Sequence, residues 1–183
     1  MVTDNNFVRS GRERIADDNY QTVDPRCIQA LVETFANSIL GGMTVIDSCS
    51  PQGSGILDYF EGTNVNAVPC ADAFSKDYYC DWDIFNPPYK RNIVDRIIQA
   101  RLENLRAGKT RGGVAALLRT GFDHAKTRRN LFADNSDYGG QIKMLFRPLW
   151  FLDTDITPIH NYVWHIWTRD NFGNPPRVWY WGE

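Results

Sequence analysis

Near the middle of the chain, Asn86-Pro87-Pro88-Tyr89 combines residue types that can hold a flat polar group. The two prolines fix φ at both positions and remove two backbone donors, and Asn86 is held extended by the proline that follows it. The segment therefore keeps its shape without hydrogen bonds of its own. Asn86 offers a side-chain oxygen and Pro87 a carbonyl, both acceptors, and Tyr89 adds a flat apolar face. Two acceptors beside an aromatic plate form a receptor for an NH2 group on a planar ring. The plainer reading of the same residues is a rigid turn ahead of a helix.

A second stretch, Asp47 followed by "SCSPQGSG" (Ser48 to Gly55), is a small-residue loop with an acid at its entrance. Gly53 and Gly55 allow a backbone to approach a ligand closely, and a helix starting there offers free amides. Asp47 could meet a cation or an amino group. A generic strand–turn–helix would look the same.

Both stretches need strands to carry them. Asp24-Pro25 is a helix start, an acid cap followed by a proline suited to the first turn. Ile28, Leu31, Val32, Phe35 and Ile39 continue it at helical spacing until Gly41-Gly42. Met43 to Asp47 reads as a buried strand, Ile56 to Phe60 as a short helix, and Val65 to Val68 as a brief strand. Trp82 to Phe85 is a strand that runs into NPPY. Ile93, Val94, Ile97, Ile98, Leu102 and Leu105 share one face of a helix over Asn92 to Ala107. Val114 to Leu118 is a further buried strand. Phe122 to Gln141 reads as a short helix and loop, Ile142 to Phe146 and Tyr162 to Thr168 as strands, and Val178 to Trp181 as a last strand closing a hairpin after the "NFGNPP" turn. This alternation predicts an α/β fold, a three-layer sandwich with a mostly parallel central sheet and antiparallel C-terminal strands. In such sheets ligands sit at the carboxyl ends of strands where the strand order reverses, so the reversal should bring the two loops together.

The totals set limits. The 183 residues fit one domain, with residues 1–19 as a polar arm and 20–183 as the folded unit; 43% hydrophobic and 13% aromatic residues indicate a globular chain. A net charge of -2 argues against avid non-specific nucleic-acid binding but leaves room for a local basic patch. Cys27, Cys49, Cys70 and Cys80 form no C-x-x-C pair, and His124, His160 and His165 are scattered, so no metal site is expected. With no secretory leader and no run long enough to span a bilayer, the expectation is a cytoplasmic protein with reduced thiols and no membrane partner.

From about Tyr20 onward the sequence resembles the S-adenosylmethionine-dependent amino-methyltransferases, above all the DNA adenine methyltransferases of bacteria and their phages. NPPY at Asn86, Pro87, Pro88 and Tyr89 resembles their catalytic motif. "DNYQT" is similar to the family's Y-x-T segment, which implies cofactor contacts from Tyr20 and Thr22. Asp47, Ser48 and the Gly53/Gly55 loop resemble the loop around the methionine end of the cofactor, and "VPCADAF" the segment whose acid and aromatic flank its adenine, here Asp72 and Phe74. The family loop reads D-P-x-x-G-x-G. Here Ser48 follows Asp47, the glycines come two positions later, and Pro69-Cys70 stand where the family places an acid.

The resemblance implies a single methyltransferase domain of the class I, Rossmann-like type that transfers a methyl group from S-adenosylmethionine to the 6-amino group of adenine in DNA, without a metal. Asn86 and the Pro87 carbonyl would orient the amine for in-line attack, and Tyr89 would stack on a base extruded from the duplex. For the DNA, Lys90, Arg91, Arg119, Lys126, Arg128 and Arg129 collect positive charge at one rim, although such runs are also ordinary solvated surface. Trp150, Trp164, Trp167, Trp179 and Trp181 read as packing aromatics rather than base-stacking ones. Little chain is left for a separate target-recognition domain, which predicts modest sequence selectivity or reliance on a homodimer partner; a companion restriction enzyme stays open. The alternatives are another planar amine (the cytosine 4-amino group, RNA adenine or a glutamine amide) or a degenerate methyltransferase fold that binds DNA or a partner.

Overall fold

A computed structural model describes residues 21–35, 39, 41–50, 54–70, 72–90, 92–151, 159–169 and 176–182. The expected N-terminal arm, with Tyr20, Gly53 and Arg91, lies outside them.

Helix α1 (Pro25–Thr34) begins as its sequence dictates: Asp24 accepts the Arg26 amide at 3.1 Å, and proline occupies the first turn. It ends earlier than the apolar spacing suggests, with Phe35 as its C-cap. Phe35 and Ile39 are nevertheless buried. Strand β1 (Thr44–Asp47), helix α2 (Gly55–Asp58) and strand β2 (Asn66–Pro69) follow, then β3 (Cys80–Phe85), α3 (Ile93–Arg106) and β4 (Thr110–Arg119). Two 3-10 turns, Phe122–His124 and Lys126–Arg128, lead to β5 (Tyr138–Met144), β6 (Tyr162–Thr168) and β7 (Arg177–Trp181).

The strands form one sheet in the order β2-β1-β3-β4-β6-β5-β7. β1 pairs in parallel with both β2 and β3, and β3 with β4. β6 is antiparallel to both its neighbours, β4 and β5. β7 does not close a hairpin on β6, as the sequence suggested. Both edges of β6 are already hydrogen-bonded, so β7 pairs in parallel with the free edge of β5. The glycine at 140, at an irregularity in the β5 register, makes this possible, because a Cβ on Gly140 (φ +136) would sit 1.9 Å from the Arg177 carbonyl oxygen.

Helices cover both faces, giving the three layers expected. On one face α1 packs Cys27, Ile28 and Leu31 against Trp82, Ile84, Leu117, Ile142 and Trp164. On the other, α3 packs Val94, Ile97, Ile98, Leu102 and Leu105 against Phe85, Val114, Ala116 and Leu118. Strand alternation explains the split, since Val114, Ala116 and Leu118 point to α3 and Ala115 and Leu117 to α1. The tryptophans serve this core: Trp164 and Trp167 are fully buried, and their indole N–H groups donate to Cys27 O and Leu131 O, each at 2.7 Å. Among the described residues no helix is long and apolar enough to cross a membrane, no group of metal-binding side chains gathers, and the four cysteines are free.

Candidate active site

The chain goes from β1 outward to β2, then returns past β1 to lay β3 on its other side. The strand order therefore reverses between β1 and β3, where Val45 faces Trp82 and Ile46 faces Asp83. Asp47 ends β1 and Asn86 directly follows β3, so the acid loop and the NPPY segment open at the same crevice.

At NPPY, Asn86 is 6% exposed and Pro87 is buried, whereas Pro88 and Tyr89 are half-buried. The Tyr89 hydroxyl reaches the Asn86 Oδ1 at 2.7 Å and the Leu117 carbonyl at 2.8 Å. The ring makes an edge contact with Tyr162 at 5.6 Å, and the Arg119 guanidinium lies over it at 5.2 Å. Burial raises the Tyr89 phenol well above its ordinary range, so it remains a neutral donor. Tyr89 is thus tied to its own neighbours, and Arg119 covers a face that the sequence had offered for stacking.

The acid loop closes on itself. Asp47, 2% exposed, accepts the Cys49 amide at 3.0 Å and the Ser54 hydroxyl at 2.5 Å. Burial pushes its carboxyl up to about 6, and these two bonds hold it from rising further. Gly55 serves the protein's own backbone rather than a ligand, because a Cβ there would lie 2.0 Å from the Thr22 carbonyl oxygen. That approach brings Thr22 against the loop. Thr22 Oγ1 and Ser48 Oγ are both buried without a hydrogen-bond partner.

Beyond β2, the Asp72 side chain accepts the Phe74 amide at 2.8 Å, and the exposed Phe74 ring carries Arg96 at 5.1 Å. Behind this segment is a group that the sequence reading missed. Asp83 and Arg101 are both fully buried and sit 3.8 Å apart. Tyr78 donates its hydroxyl to Asp83 Oδ2 at 3.0 Å, and Arg101 Nη2 donates to Ser75 O at 2.6 Å. Burial, helped by the nearby Asp47 carboxyl and held back by Ser48, pushes Asp83 up to about 8; the permanent cation of Arg101 opposes that shift and favours the carboxylate. Two anomalies could have revealed the pair: an acid inside the apolar run "CDWDIF", and an arginine on the same helical stripe as Ile97, Ile98 and Leu105.

The expected basic rim is largely self-neutralised in its second half. Arg128 pairs with Asp95 at 2.7 Å and covers Phe122, and Arg129 makes a two-pronged pair with Asp134. Lys90 and Lys126 are exposed. Arg119 remains beside the crevice with its Nε buried and without a hydrogen-bond partner.

The fold is similar to that of a provisionally assigned class I S-adenosylmethionine-dependent methyltransferase from Listeria monocytogenes, with a TM-score of 0.53, 11% identity, and coverage of 93% of this chain and 67% of that one. Weaker likenesses are a Thermoplasma acidophilum protein, 1320 (TM-score 0.48, 19% identity, 78% of this chain and 88% of that one), and the release-factor-specific protein-(glutamine-N5) methyltransferase of Alicyclobacillus acidocaldarius (TM-score 0.43, 17% identity, 79% and 93%). The first of these establishes the fold as that of the class I methyltransferases. No protein-family profile matches the chain, and no curated protein shows significant sequence similarity to it.

Proposed function

We propose that this chain is an S-adenosylmethionine-dependent methyltransferase acting on a planar primary amine, with the 6-amino group of adenine in DNA as the substrate. The observation that carries this reading is that Asp47 and Asn86 stand at the carboxyl ends of the adjacent parallel strands β1 and β3, at the strand-order reversal of a class I methyltransferase fold. The two unpartnered hydroxyls, Thr22 Oγ1 and Ser48 Oγ, suit a polar ligand lying along the β1 loop, so the residues present fit the cofactor. Thr22, Asp47 and Ser48 would hold it from the β1 side, with Asp72 and Phe74 beyond β2. When bound, S-adenosylmethionine supplies an electrophilic methyl group.

The protein's own work is orientation. Asn86 and the Pro87 carbonyl accept the two amine hydrogens and direct the nitrogen lone pair out of the ring plane toward the crevice. They also stabilise the positive charge that grows on nitrogen during transfer. Tyr89 fixes Asn86, and a substrate ring stacks on Tyr89 only after Arg119 swings aside. Arg119 then lies beside the amine site as a phosphate contact, together with Lys90 and Lys126.

A second reading, transfer to the side-chain amide of a protein glutamine, is favoured by the internal pairing of Arg128 and Arg129, which weakens the nucleic-acid rim. One experiment separates the two. The protein is incubated with methyl-labelled S-adenosylmethionine and either duplex DNA or a glutamine-containing protein extract. Label in N6-methyl-2′-deoxyadenosine by mass spectrometry supports the first reading; label confined to protein supports the second, and label in neither removes both.

A further inference from the structure

Burying an arginine and an aspartate together is costly, and a pair of well-packed apolar side chains is often as stable or more so. The Asp83–Arg101 pair is therefore poorly explained as a stabilising device. Its hydrogen bonding is also incomplete: Asp83 Oδ1, Arg101 Nε, Arg101 Nη1 and Ser48 Oγ all lack partners, an excess a purely structural pair would not carry. What the pair does accomplish is mechanical. Residues 72–79 form no helix or strand. Arg101, from α3, grips this segment at its middle through Ser75 O, with Asn104 Nδ2 reaching the same oxygen at 3.4 Å. The Arg101 guanidinium also lies 5.0 Å from the centre of the Tyr78 ring, and the Tyr78 hydroxyl is fixed by Asp83. Asp83 is paired across the sheet with Ile46, two residues before Ser48, so the start of the β1 loop lies beside it, and Ser48 draws its carboxyl down.

One buried pair thus touches three pieces of backbone, the β1 loop, β3 and the 72–79 segment, and two of these are the proposed walls of the cofactor crevice. We propose that Asp83 and Arg101 are positioning residues that set the separation between Ser48 on one wall and Asp72 and Phe74 on the other, and so govern affinity for the methyl donor. This rests on the cofactor reading given above.

The test is calorimetric binding of S-adenosylmethionine to the full chain and to two variants, with the melting temperature measured alongside. Asp83→Leu combined with Arg101→Met replaces the ion pair by apolar groups. It should keep the melting temperature near that of the parent while weakening cofactor binding on the order of tenfold or more. Tyr78→Phe removes a single hydroxyl, folds regardless of the fate of the pair, and should weaken binding about threefold. Turnover at saturating cofactor should change far less than the cofactor KM. Binding within about a factor of two of the parent in every variant that folds overturns the positioning role while leaving the cofactor reading intact. Absence of binding by the parent chain itself overturns both.

Discussion

The Tyr89 hydroxyl and the Asn86 amide oxygen lie 2.7 Å apart, and the same hydroxyl is 2.8 Å from the Leu117 carbonyl. A phenol has one proton for these two acceptors. A half-turn of the Asn86 amide resolves the competition, because its NH2 then donates to the phenol oxygen while the proton serves Leu117. That turn would also free the amide oxygen from Tyr89, leaving it to accept from an incoming amine. Tyr89→Phe should therefore lower kcat about tenfold without altering cofactor affinity, since Asn86 loses its guide but not its chemistry. Asn86→Ala should lower kcat by roughly a thousandfold, again with unchanged cofactor binding. Single-turnover rates alongside calorimetry check both; equal losses in binding would show that the two residues support the crevice instead.

Asp47 makes stability depend on pH in a defined direction. Its folded-state carboxyl is raised from 3.8 to about 6, so the folded chain retains a proton that the unfolded chain has released. The resulting stabilisation, about 3 kcal/mol, is fully present below about pH 4 and is lost as the pH rises through about 6. Asp83 acts in the same sense, tempered by Arg101. Asp47→Asn should flatten urea midpoints across this window, and a parent profile already flat there would contradict the assignment.

Gly55→Ala should destabilise by about 3 kcal/mol, at the upper end for overpacking, because the obstacle is backbone and cannot rotate away. A Cβ there would meet Thr22 O at 2.0 Å and Val23 Cα at 3.0 Å. Thermal melting reads the loss. Cofactor affinity should fall with it, as Thr22 is pushed from the loop.

Two arginines expected at the same rim should behave differently. Arg129 is already neutralised by Asp134, so Arg129→Ala should change duplex-DNA affinity by less than about twofold. Arg119 lies beside Tyr89 with an unpartnered Nε. Arg119→Ala should weaken DNA binding and reduce the slope of log affinity against log salt by about one. Fluorescence anisotropy over a salt series measures both.

Much of this arrangement is legible in the sequence because it follows from local chemistry. Asp24-Pro25 fixes where α1 starts, the α3 stripe fixes its buried face, and apolar runs ending in Asp47 and Asn86 locate the crevice once a parallel sheet is assumed. What escaped notice depends on partners distant in the chain. Tyr138 to Gln141 reads as loop at the end of a polar stretch, yet Gly140 lies in β5, where β7 approaches it closely. The edge that β7 joins is decided by β6 occupying both of its own. Asp83 and Arg101 are each visible as misfits, but only the packing of α3 on β3 shows that they answer one another. Tyr89 looks like an open plate until Arg119, thirty residues later, is seen lying on it.

The position of β6 has a consequence for biosynthesis. It is wedged between β4 and β5 and hydrogen-bonded to each, so the two cannot be bridged until residue 168 has cleared the ribosome. Until then the nascent chain carries the open strand borders of β4, with Val114, Leu117 and Leu118, and of β5, with Ile142 and Met144, the kind of surface that recruits chaperones and nucleates clumping. A released chain truncated just before this strand should be far stickier than one truncated just after it.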